Sequence, residues 1–213
     1  MVKLISISTP LVKGINNAEE LITYCARVSN PSNQFNTETA PKLLKYLITH
    51  KHFSPFEMVS VGFEIKTSRA IAAQILRHRS FSFQEFSQRY STATELEDIE
   101  WRLQGKTNRQ VGDTEVDLSL ELKLKVEFIQ QNSLALYDDL ISAGLAKECA
   151  RMILPLNTST TVIMHGTVRS WIHYLQIRCD ELTQKEHRDV AVEIKNIFVK
   201  EFPSISEALG WDN

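Results

Sequence analysis

A stretch of fourteen residues, 77–90, concentrates the side chains that could do chemistry. Its sequence Arg-His-Arg-Ser-Phe-Ser-Phe-Gln-Glu-Phe-Ser-Gln-Arg-Tyr holds three arginines, one histidine, one glutamate and three serines between aromatic residues. Arginine offers a planar fork of donors that fits a phosphate, serine adds hydroxyl donors, and aromatic faces can stack on a ring. A solvated loop rarely needs the aromatic residues, and a core rarely needs the polar ones. The stretch therefore predicts a pocket wall for a flat, anionic ligand, of which a nucleotide is the first candidate.

The residues before this stretch predict the element that positions it. Residues 68–76 have the apolar spacing of a helix with one buried stripe. Gln74, Arg77 and His78 are spaced i, i+3 and i+4, so a helix that continued through them would place them on one face. With Arg79 pointing about 100° away, the group would serve two parts of one ligand, or two ligands. The alternative is a solvated cationic helix end, which the helix dipole favours.

Length, charge and cysteine content limit the classes of protein that the chain can be. Its 213 residues suit a single domain, 1–213, with a sizeable core. A net charge of −2 and a pI near 6.3 weigh against bulk electrostatic binding to nucleic acid or membrane. No apolar run has the length of a bilayer span, and the first residues lack the layout of a signal peptide. Three widely separated cysteines without a Cys-x-x-Cys motif predict a reducing compartment, the cytoplasm, and no zinc site.

Apolar periodicity predicts a mixture of strands and helices that would support the stretch. Capping boxes are expected from Asn16 with Glu19 and from Thr183 with Glu186, because each pair has the spacing of an N-cap and its N3 residue. Alternation and β-branched residues predict strands, and three-to-four-residue spacing predicts helices. The predicted strands are 4–8, 59–66 and 158–164, and the predicted helices are 16–27, 39–50, 68–76, 118–144, 145–154, 166–178 and 183–203.

Two segments have a pattern that is weak or ambiguous. Residues 118–126 alternate as in a strand, but leucine, glutamate and lysine are helix formers and favour a helix that stops at Gly144. Residues 91–115 have little apolar periodicity, which predicts a long and mobile loop. Four of its side chains could reach a second substrate or be ordinary loop residues: Lys106, Asn108, Arg109 and Gln110.

The stretch 77–90 resembles the signature of the flavin-dependent thymidylate synthases, Arg-His-Arg-x-x-Ser-x-Asn-Glu-x-Ser-x-Arg-Tyr. Every fixed position matches except one, where this chain has Gln84 in place of Asn. Residues 52–57, 150–157 and 169–178 also look like segments of that family, in the expected order. The resemblance therefore covers most of the chain.

The resemblance implies a fold, an assembly and a reaction. The fold would be α/β (α+β), with a twisted, mostly antiparallel sheet wrapped by helices, in a single-domain protomer of a homotetramer with shared sites. The reaction would be reductive methylation of dUMP to dTMP, with methylenetetrahydrofolate as carbon donor and NADPH-reduced FAD as hydride source. No glycine-rich dinucleotide fingerprint is present in the sequence, so FAD would not be bound in Rossmann fashion.

Site residues are carried over by matched position. The residues implied to bind dUMP are Gln74, Ile75, Leu76, Arg77, Glu85, Phe86, Ser87, Gln88, Arg89, Arg151 and Arg178. Those implied to bind FAD are His52, Ser54, Arg77, His78, Arg79, Glu85, Thr167, Val168, Arg169 and His173, although relatives commonly carry Asn in place of Thr167 and His173. Arg178 is the implied catalytic group, a fixed cation that favours ionisation at N3 of the pyrimidine and makes C5 more nucleophilic.

Each key arginine also has an ordinary structural interpretation. Arg151 could form a surface ion pair with Glu148, three residues before it, and Arg178 could pair with Asp180 or Glu181. In either case the cation would be neutralised and unavailable to a ligand.

Two other classes of function remain as alternatives. A single-stranded nucleic-acid-binding protein could use the arginine and aromatic residues for stacking, although the net negative charge weighs against it. A metal-dependent hydrolase could use His50, His52 and His78, although the first two lack the i, i+4 spacing of a helical zinc pair. Ser87 as a nucleophile would need a base such as His78 within reach, and a phosphate-binding role is preferred for it.

Overall fold

Strands and helices follow one another along the chain in a computed structural model that describes residues 1–92, 95–106 and 111–211. Short 3₁₀ turns at Pro31–Asn33, Ser54–Glu57 and Arg151–Ile153 lie between them. In chain order the elements are β1 Val2–Ile7, α1 Ala18–Ala26, α2 Ala40–Thr49, β2 Ser60–Ser68, α3 Arg69–Ile75, β3 Phe81–Glu85, β4 Arg102–Gln104, β5 Gly112–Glu115, α4 Leu120–Ser142, α5 Lys147–Ala150, β6 Ser159–Thr167, α6 Val168–Arg178, α7 Lys185–Glu201 and α8 Pro203–Leu209.

Four strands form an antiparallel sheet in the order β1-β2-β6-β3, which confirms the predicted sheet type. The central strands β2 and β6 pair along their full length, from Ser60 opposite Thr167 to Ser68 opposite Ser159. Both of these strands were predicted from their β-branched and alternating residues. The edge strand β3 pairs with β6 and begins with Phe81 opposite Gly166. The start of β3 therefore lies beside the start of α6.

Aromatic side chains join the sheet to α6. Trp171 is fully buried, and its indole N–H donates to the Val61 carbonyl at 3.1 Å. The rings of Phe63 and Phe81 pack edge-on against Trp171, with centroids 4.9 and 4.7 Å away. Gly166 allows this approach, because a Cβ atom there would overlap the Phe81 ring. The edge strand is thus fixed to the core through Phe81.

The cap of α1 lies one residue later than predicted. The Asn17 side chain accepts from the Glu20 backbone N–H at 2.9 Å, and the Glu20 carboxylate accepts from the Asn16 N–H at 2.6 Å. Glu19, expected in the capping box, is buried and accepts from the Ile205 N–H at 2.8 Å. A tertiary contact with α8 therefore takes the residue that the local pattern assigned to the cap.

The capping box predicted for α7 is wrong for a similar reason. The N-cap is Gln184, which makes no side-chain capping bond. Thr183 donates instead to the Ile177 carbonyl at 3.2 Å, and Glu186 pairs with Arg102. Both residues have partners outside the helix, and these partners replace the local ones.

The segment 91–115 contains regular structure that the sequence did not predict. Arg102–Gln104 and Gly112–Glu115 pair as a two-stranded hairpin, and Leu96 forms a bridge with Thr158. Lys106 is exposed, whereas Asn108, Arg109 and Gln110 lie outside the described residues. The predicted reach of this segment towards a second substrate stays a prediction.

Helix α4 is the longest in the described part of the chain, and the prediction of a helix over a strand is confirmed. Gly144 follows it with a left-handed φ of 82°, as expected for its stop. Within α4 the single fully buried residue is Tyr137. Its exposed apolar residues are Leu120, Leu122, Leu124, Phe128, Ile129 and Leu136. This helix presents an apolar surface that the rest of the protomer does not cover.

The helix predicted at 145–154 is shorter than expected. Only Lys147–Ala150 is α-helical, and Arg151–Ile153 continues as a 3₁₀ turn before Pro155. Among the described residues, no helix combines the length and apolar character that crossing a membrane requires.

Candidate functional site

The stretch 77–90 is a turn, a strand and a second turn. Helix α3 ends at Ile75, and the next turn is closed by the Arg77 N–H on the Gln74 carbonyl at 3.3 Å and the His78 N–H on the Ile75 carbonyl at 3.1 Å. The prediction that Gln74, Arg77 and His78 share a helix face is therefore wrong, since only Gln74 lies on the helix. The short helix instead directs the following turn towards α6.

Arg178, the last residue of α6, contacts the signature directly. Its Nε donates to His78 Nε2 at 2.9 Å. Asp180, one of the two carboxylates suggested by sequence as its partner, accepts from the Leu182 backbone N–H at 2.8 Å. Within the described parts of the chain, Arg178 forms no ion pair with Asp180 or Glu181. The structure thus joins two residues that are a hundred positions apart, and no carboxylate among the described residues forms an ion pair with the guanidinium.

His78 is held in its neutral form. Its pKa is lowered to about 4, chiefly by burial and in addition by the positive charges of Arg178, His173 and Arg77. A neutral imidazole accepts through Nε2 only if its proton is on Nδ1. His78 therefore orients Arg178 without neutralising it.

A second histidine lies behind this pair and was not identified as a functional residue from the sequence. His187 is fully buried on α7, its Nε2 is 3.0 Å from the Tyr174 hydroxyl, and its Nδ1 is 3.4 Å from Gln74 Oε1. Burial lowers its pKa to about 3, with the charges of Arg178 and His78 contributing. Burial also raises the pKa of Tyr174. The helical period of α7 placed His187 in its apolar stripe, and no other signal distinguished it from a core residue.

A cleft of about 470 Å³ opens on the outer side of α6, and several of the residues implied for FAD line it or lie beside it. Arg169 lies here and pairs with Glu57, and the Ser170 hydroxyl donates to the Ser80 carbonyl at 3.2 Å. The cleft is lined by Phe53, Glu57, Ser80, Arg169, Ser170, Ile172, His173 and Gln176. Cationic and hydroxyl donors on one wall, with apolar residues beside them, fit an anionic aromatic ligand.

Some predicted site residues have structural roles in this protomer. Thr167 caps α6 by accepting from the Ser170 N–H at 3.2 Å. Val168 and Ile75 are fully buried, so their side chains belong to the core. Arg77, Arg79, His52 and Ser54 are exposed, and Leu76 is also partly open to solvent.

The other end of β3 forms a separate depression of about 360 Å³, lined by Ser87, Arg89, Tyr90, Ala146, Lys147 and Glu148. Arg89 donates to Glu148 through Nε at 3.1 Å, and a second guanidinium nitrogen lies 3.0 Å away. The ion pair suggested between Arg151 and Glu148 is therefore wrong, because Glu148 pairs with a signature residue. Arg151 lies in the adjacent 3₁₀ turn.

Glu85 and Gln88 mark the inner side of this end of the strand. Glu85 lies 3.3 Å from Arg69 and accepts from the Thr160 hydroxyl at 3.1 Å. Gln88 is 3% exposed, and its side-chain nitrogen has no hydrogen-bond partner in the part of the chain that the structure describes. Phe86 is partly exposed. A buried donor without an acceptor is costly, which is consistent with a position that a ligand completes.

The two groups of nucleotide-binding candidates lie at opposite ends of one strand. Arg178 and His78 are at the start of β3, whereas Ser87 and Arg89 follow its end. Five strand residues separate them, a length of about 16 Å. One protomer therefore presents the candidates as two separate groups, which we call half-sites, rather than as one closed pocket.

The residues of the metal-hydrolase alternative are not assembled. Across residues 1–92, 95–106 and 111–211, no group of three or more His, Cys, Asp or Glu side chains is placed to hold a metal ion. The His50 and His52 rings are 6.1 Å apart, His50 stacks on Tyr46, and His78 contacts Arg178. These histidines have other contacts instead.

Comparisons with known proteins identify the family of the chain. A family model described as thymidylate synthase complementing protein matches residues 10–204. A protein of Paramecium bursaria Chlorella virus 1, named a probable flavin-dependent thymidylate synthase, is 52% identical over 212 residues, which is 98% of this chain and 98% of that relative. A Synechocystis protein, named a flavin-dependent thymidylate synthase, is 52% identical over 195 residues, covering 91% of this chain and 90% of its own length.

A solved structure has the same fold. The crystal structure of a UMP/dUMP methylase from Streptomyces cacaoi, bound with 5-Br dUMP, matches with a TM-score of 0.81 and 22% identity, over 99% of this chain and 94% of that one. At this identity the likeness concerns the fold alone. With a family model over most of its length and two relatives at 52% identity, the chain belongs to the flavin-dependent thymidylate synthase family.

Proposed function

We propose that this chain converts dUMP to dTMP by reductive methylation, with methylenetetrahydrofolate as carbon donor, FAD as bound cofactor and NADPH as its reductant. The observation that carries the proposal is the contact between Arg178 and His78, in which a neutral imidazole holds a charged guanidinium at 2.9 Å. The names of the two relatives at 52% identity support the same reaction.

Arg178 acts as the catalytic group. A cation that no carboxylate neutralises favours negative charge on a pyrimidine at N3, and this charge makes C5 a better nucleophile. His78 accepts the Nε proton, so the remaining N–H groups of the fork stay free for the ring. No thiolate is needed, since burial raises the pKa of the neighbouring Cys179 and keeps it protonated. All three cysteines are free thiols, which supports a reducing compartment such as the cytoplasm.

The phosphate of dUMP binds at the other half-site, through Ser87, Arg89 and Arg151. The ion pair of Arg89 with Glu148 is mostly exposed, with side chains 66% and 53% accessible. Exposed pairs of this kind contribute about 0–1 kcal/mol, so a phosphate displaces the carboxylate at low cost. The remaining proposed contacts to dUMP come from Gln74, Ile75, Leu76, Arg77, Glu85, Phe86 and Gln88.

FAD fits the donor set of the cleft on α6. Arg169 and His173 line it, and Arg77 and Arg79 are exposed on the turn that precedes β3. Guanidinium and hydroxyl donors suit a pyrophosphate. Once bound and reduced by NADPH, the flavin would supply the hydride that completes the methyl group. The other residues proposed to hold it are His52, Ser54, His78, Glu85, Thr167 and Val168.

The active unit is a homotetramer, in which other copies of the chain complete the half-sites. The uncovered apolar residues of α4 support this assembly, since monomers rarely leave so many large apolar side chains of one helix in water. The separation of Arg178 from Arg89 along β3 supports it further. A nucleotide that contacts both groups would then contact them on different protomers.

The first experiment is to record the visible spectrum of the purified protein and its product. A yellow protein that releases FAD on denaturation, and forms dTMP from dUMP, methylenetetrahydrofolate and NADPH, is the expected result. A colourless protein that takes up no added FAD would refute the proposal.

A complementation experiment tests the shared sites. Arg89→Ala and Arg178→Ala proteins should each be inactive, and mixing them should restore part of the activity if the two arginines of one site come from different chains. Absence of recovery after verified subunit exchange would contradict shared sites while leaving the reaction itself untouched.

A further inference from the structure

A continuous chain of side-chain hydrogen bonds runs from Glu186 to Tyr174 through Gln74. Gln184 Nε2 donates to Glu186 Oε2 at 2.9 Å, and Gln74 Nε2 donates to Gln184 Oε1 at 2.7 Å. Gln74 Oε1 then faces His187 Nδ1 at 3.4 Å, and His187 Nε2 faces the Tyr174 hydroxyl at 3.0 Å. We call these five residues the amide chain. None of them except Gln74 has a role in the proposed function.

The amide chain has a direction, and Glu186 sets it. Burial alone would raise the pKa of Glu186, but hydrogen bonds from Arg102, its own backbone and Gln184 together lower it. An ionised carboxylate only accepts hydrogen bonds, so Gln184 must turn its NH₂ group towards Glu186 and its oxygen towards Gln74. Gln74 must then turn its NH₂ group towards Gln184 and its oxygen towards His187.

His187 and Tyr174 are consistent with this direction. The buried His187 is neutral and carries one ring proton. With Gln74 Oε1 as acceptor, that proton is on Nδ1, and Nε2 accepts from the Tyr174 hydroxyl. Gln184, Gln74 and His187 then each donate once and accept once, Glu186 only accepts and Tyr174 only donates, so no two donors and no two acceptors face each other.

Gln74 is linked through His187 to the surroundings of Arg178, the group that we assign to the pyrimidine ring. Its partner His187 is close enough to Arg178 for that charge to lower the His187 pKa, and the His187 and His78 rings are 6.2 Å apart. One N–H of the Gln74 amide bonds to Gln184, so the second remains for a ligand. An N–H donor fits the carbonyl at position 4 of uracil and opposes the amino group that cytosine has there.

We propose that Glu186 and Gln184 are positioning residues that fix the direction of the Gln74 amide, so that the site accepts uracil and rejects cytosine nucleotides. The proposal rests on the proposed function, because it requires a pyrimidine nucleotide beside Arg178. It adds the source of base selectivity, which is Glu186, acting on Gln74 through Gln184 without touching the base.

Glu186→Gln tests the direction sharply. Glu186 bonds to Arg102 with one oxygen and to Gln184 with the other. In the variant, the Arg102 nitrogen that bonds to position 186 can donate only to the carbonyl oxygen of the new amide. The NH₂ group of the new amide therefore faces Gln184. Every downstream amide then reverses, and Gln74 presents an acceptor where it presented a donor. The two glutamine amides and His187 keep their partners, but the buried Tyr174 hydroxyl loses its acceptor because His187 Nε2 then donates to it, so thermal unfolding of the variant is measured beside binding.

The chain offers a matched control in Glu100→Gln. Glu100 also accepts from Arg102, at 2.8 Å, and from Lys185, at 2.8 Å, but it lies outside the amide chain. The control removes one carboxylate beside Arg102 and leaves the direction of the amides unchanged.

The binding experiment compares dUMP and dCMP on the FAD-loaded protein. In Glu186→Gln the preference for dUMP over dCMP should fall at least about tenfold, because one mispaired polar contact costs on the order of 1.4 kcal/mol. Glu100→Gln should keep the original preference. An unchanged preference in Glu186→Gln, or an equal loss in both variants, would overturn the proposal.

A second measurement does not depend on nucleotide binding. Solution NMR with ¹⁵N-labelled histidine should show His187 protonated at Nδ1 in the original protein and at Nε2 in Glu186→Gln, with His187→Gln identifying the signals. Protonation at Nε2 in the original protein contradicts the direction, whatever Glu186→Gln does. If the tautomers are as expected but the protein binds no dUMP, the proposed function fails and the amide chain stands.

Discussion

The buried His187 makes the folded protein sensitive to acid by a predictable amount. Its pKa falls from the ordinary value of 6.5 to about 3 on folding. Below pH 6.5 the unfolded chain binds a proton on this histidine that the folded chain does not bind. The contribution of neutral His187 to the free energy of unfolding is therefore fully present above pH 6.5 and is lost as the pH falls towards about 3. At pH 5 the loss is 1.5 pH units at about 1.36 kcal/mol each, or about 2 kcal/mol.

This loss can be assigned to His187 with one variant and one control. Urea unfolding of the original protein, His187→Gln and His50→Gln should be compared at pH 7 and pH 5, at one protein concentration and without added nucleotide. His187→Gln should lose about 2 kcal/mol less between the two pH values than the original protein. His50→Gln removes an exposed histidine and should lose as much as the original protein does.

The half-buried His78 acts in the same direction, since its pKa is also lowered, to about 4. It lies closer to solvent, so its contribution is smaller, and it is present in all three proteins and cancels in the comparison. If His187→Gln loses as much stability as the original protein between pH 7 and pH 5, the neutral, buried state of His187 is wrong.

Three further predictions concern the edge strand and the reaction. Gly166→Ala should destabilise the fold by about 1–3 kcal/mol in thermal or urea unfolding, since the added Cβ overlaps the Phe81 ring. Gly62→Ala should destabilise it less, because its Cβ meets the rotatable Ser6 hydroxyl. Equal losses of stability in the two variants would contradict this packing. Arg178→Ala should lower dTMP formation at saturating dUMP by about 10² to 10³ with FAD retained, whereas Arg188→Ala on the surface of α7 should not; near-normal turnover would remove Arg178 from the mechanism. A variant with all three cysteines changed to serine or alanine should still form dTMP, and a folded, FAD-loaded but inactive variant would overturn the mechanism without a thiol.

Elements whose patterns are local could be predicted from the sequence. The alternation at 59–66 and the β-branched run at 158–164 predicted β2 and β6, because the residue types within each segment already favour a strand with buried positions. Helix α4 was predicted correctly against an alternating pattern, since intrinsic propensity and the i, i+4 pair of Glu121 with Lys125 favour a helix.

Elements that depend on distant partners could not be predicted. The hairpin of β4 and β5 is attached to α7 through the ion pair of Arg102 with Glu186. No pattern within the hairpin's own sequence predicts that ion pair. Glu19 was assigned to a local cap from its spacing to Asn16. Its actual bond, to the Ile205 N–H, joins positions 186 residues apart and is not visible in the local pattern. In both cases a tertiary contact outweighs a local preference worth about 1 kcal/mol.

The candidate site shows the same division. The signature 77–90 pointed to arginine, serine and aromatic groups, which the structure places on β3 and on the turns at its two ends, and the role of Arg178 followed from a resemblance. The contact between Arg178 and His78 could not be predicted, because it depends on β3 starting beside α6. His187 and Gln184 were missed because a buried histidine at helical spacing looks like any core residue, and a glutamine before a helix looks like a surface one.

The pairing of β3 with β6 constrains how the length of this chain can vary among its relatives. Phe81, Phe83 and Glu85 face inward along β3 and alternate with exposed Ser82 and Gln84. A single residue inserted or deleted within β3 would reverse the facing of every strand residue on one side of the change, which exposes a phenylalanine or displaces the Ser87 and Arg89 half-site. The junction after α4 carries no such penalty, since Gly144 lies in a turn between helices and belongs to no strand pair of the sheet. Gaps in alignments of the family should therefore gather near Gly144 and be absent from 81–85, while substitutions such as Asn to Gln at position 84 are accepted on the outward face.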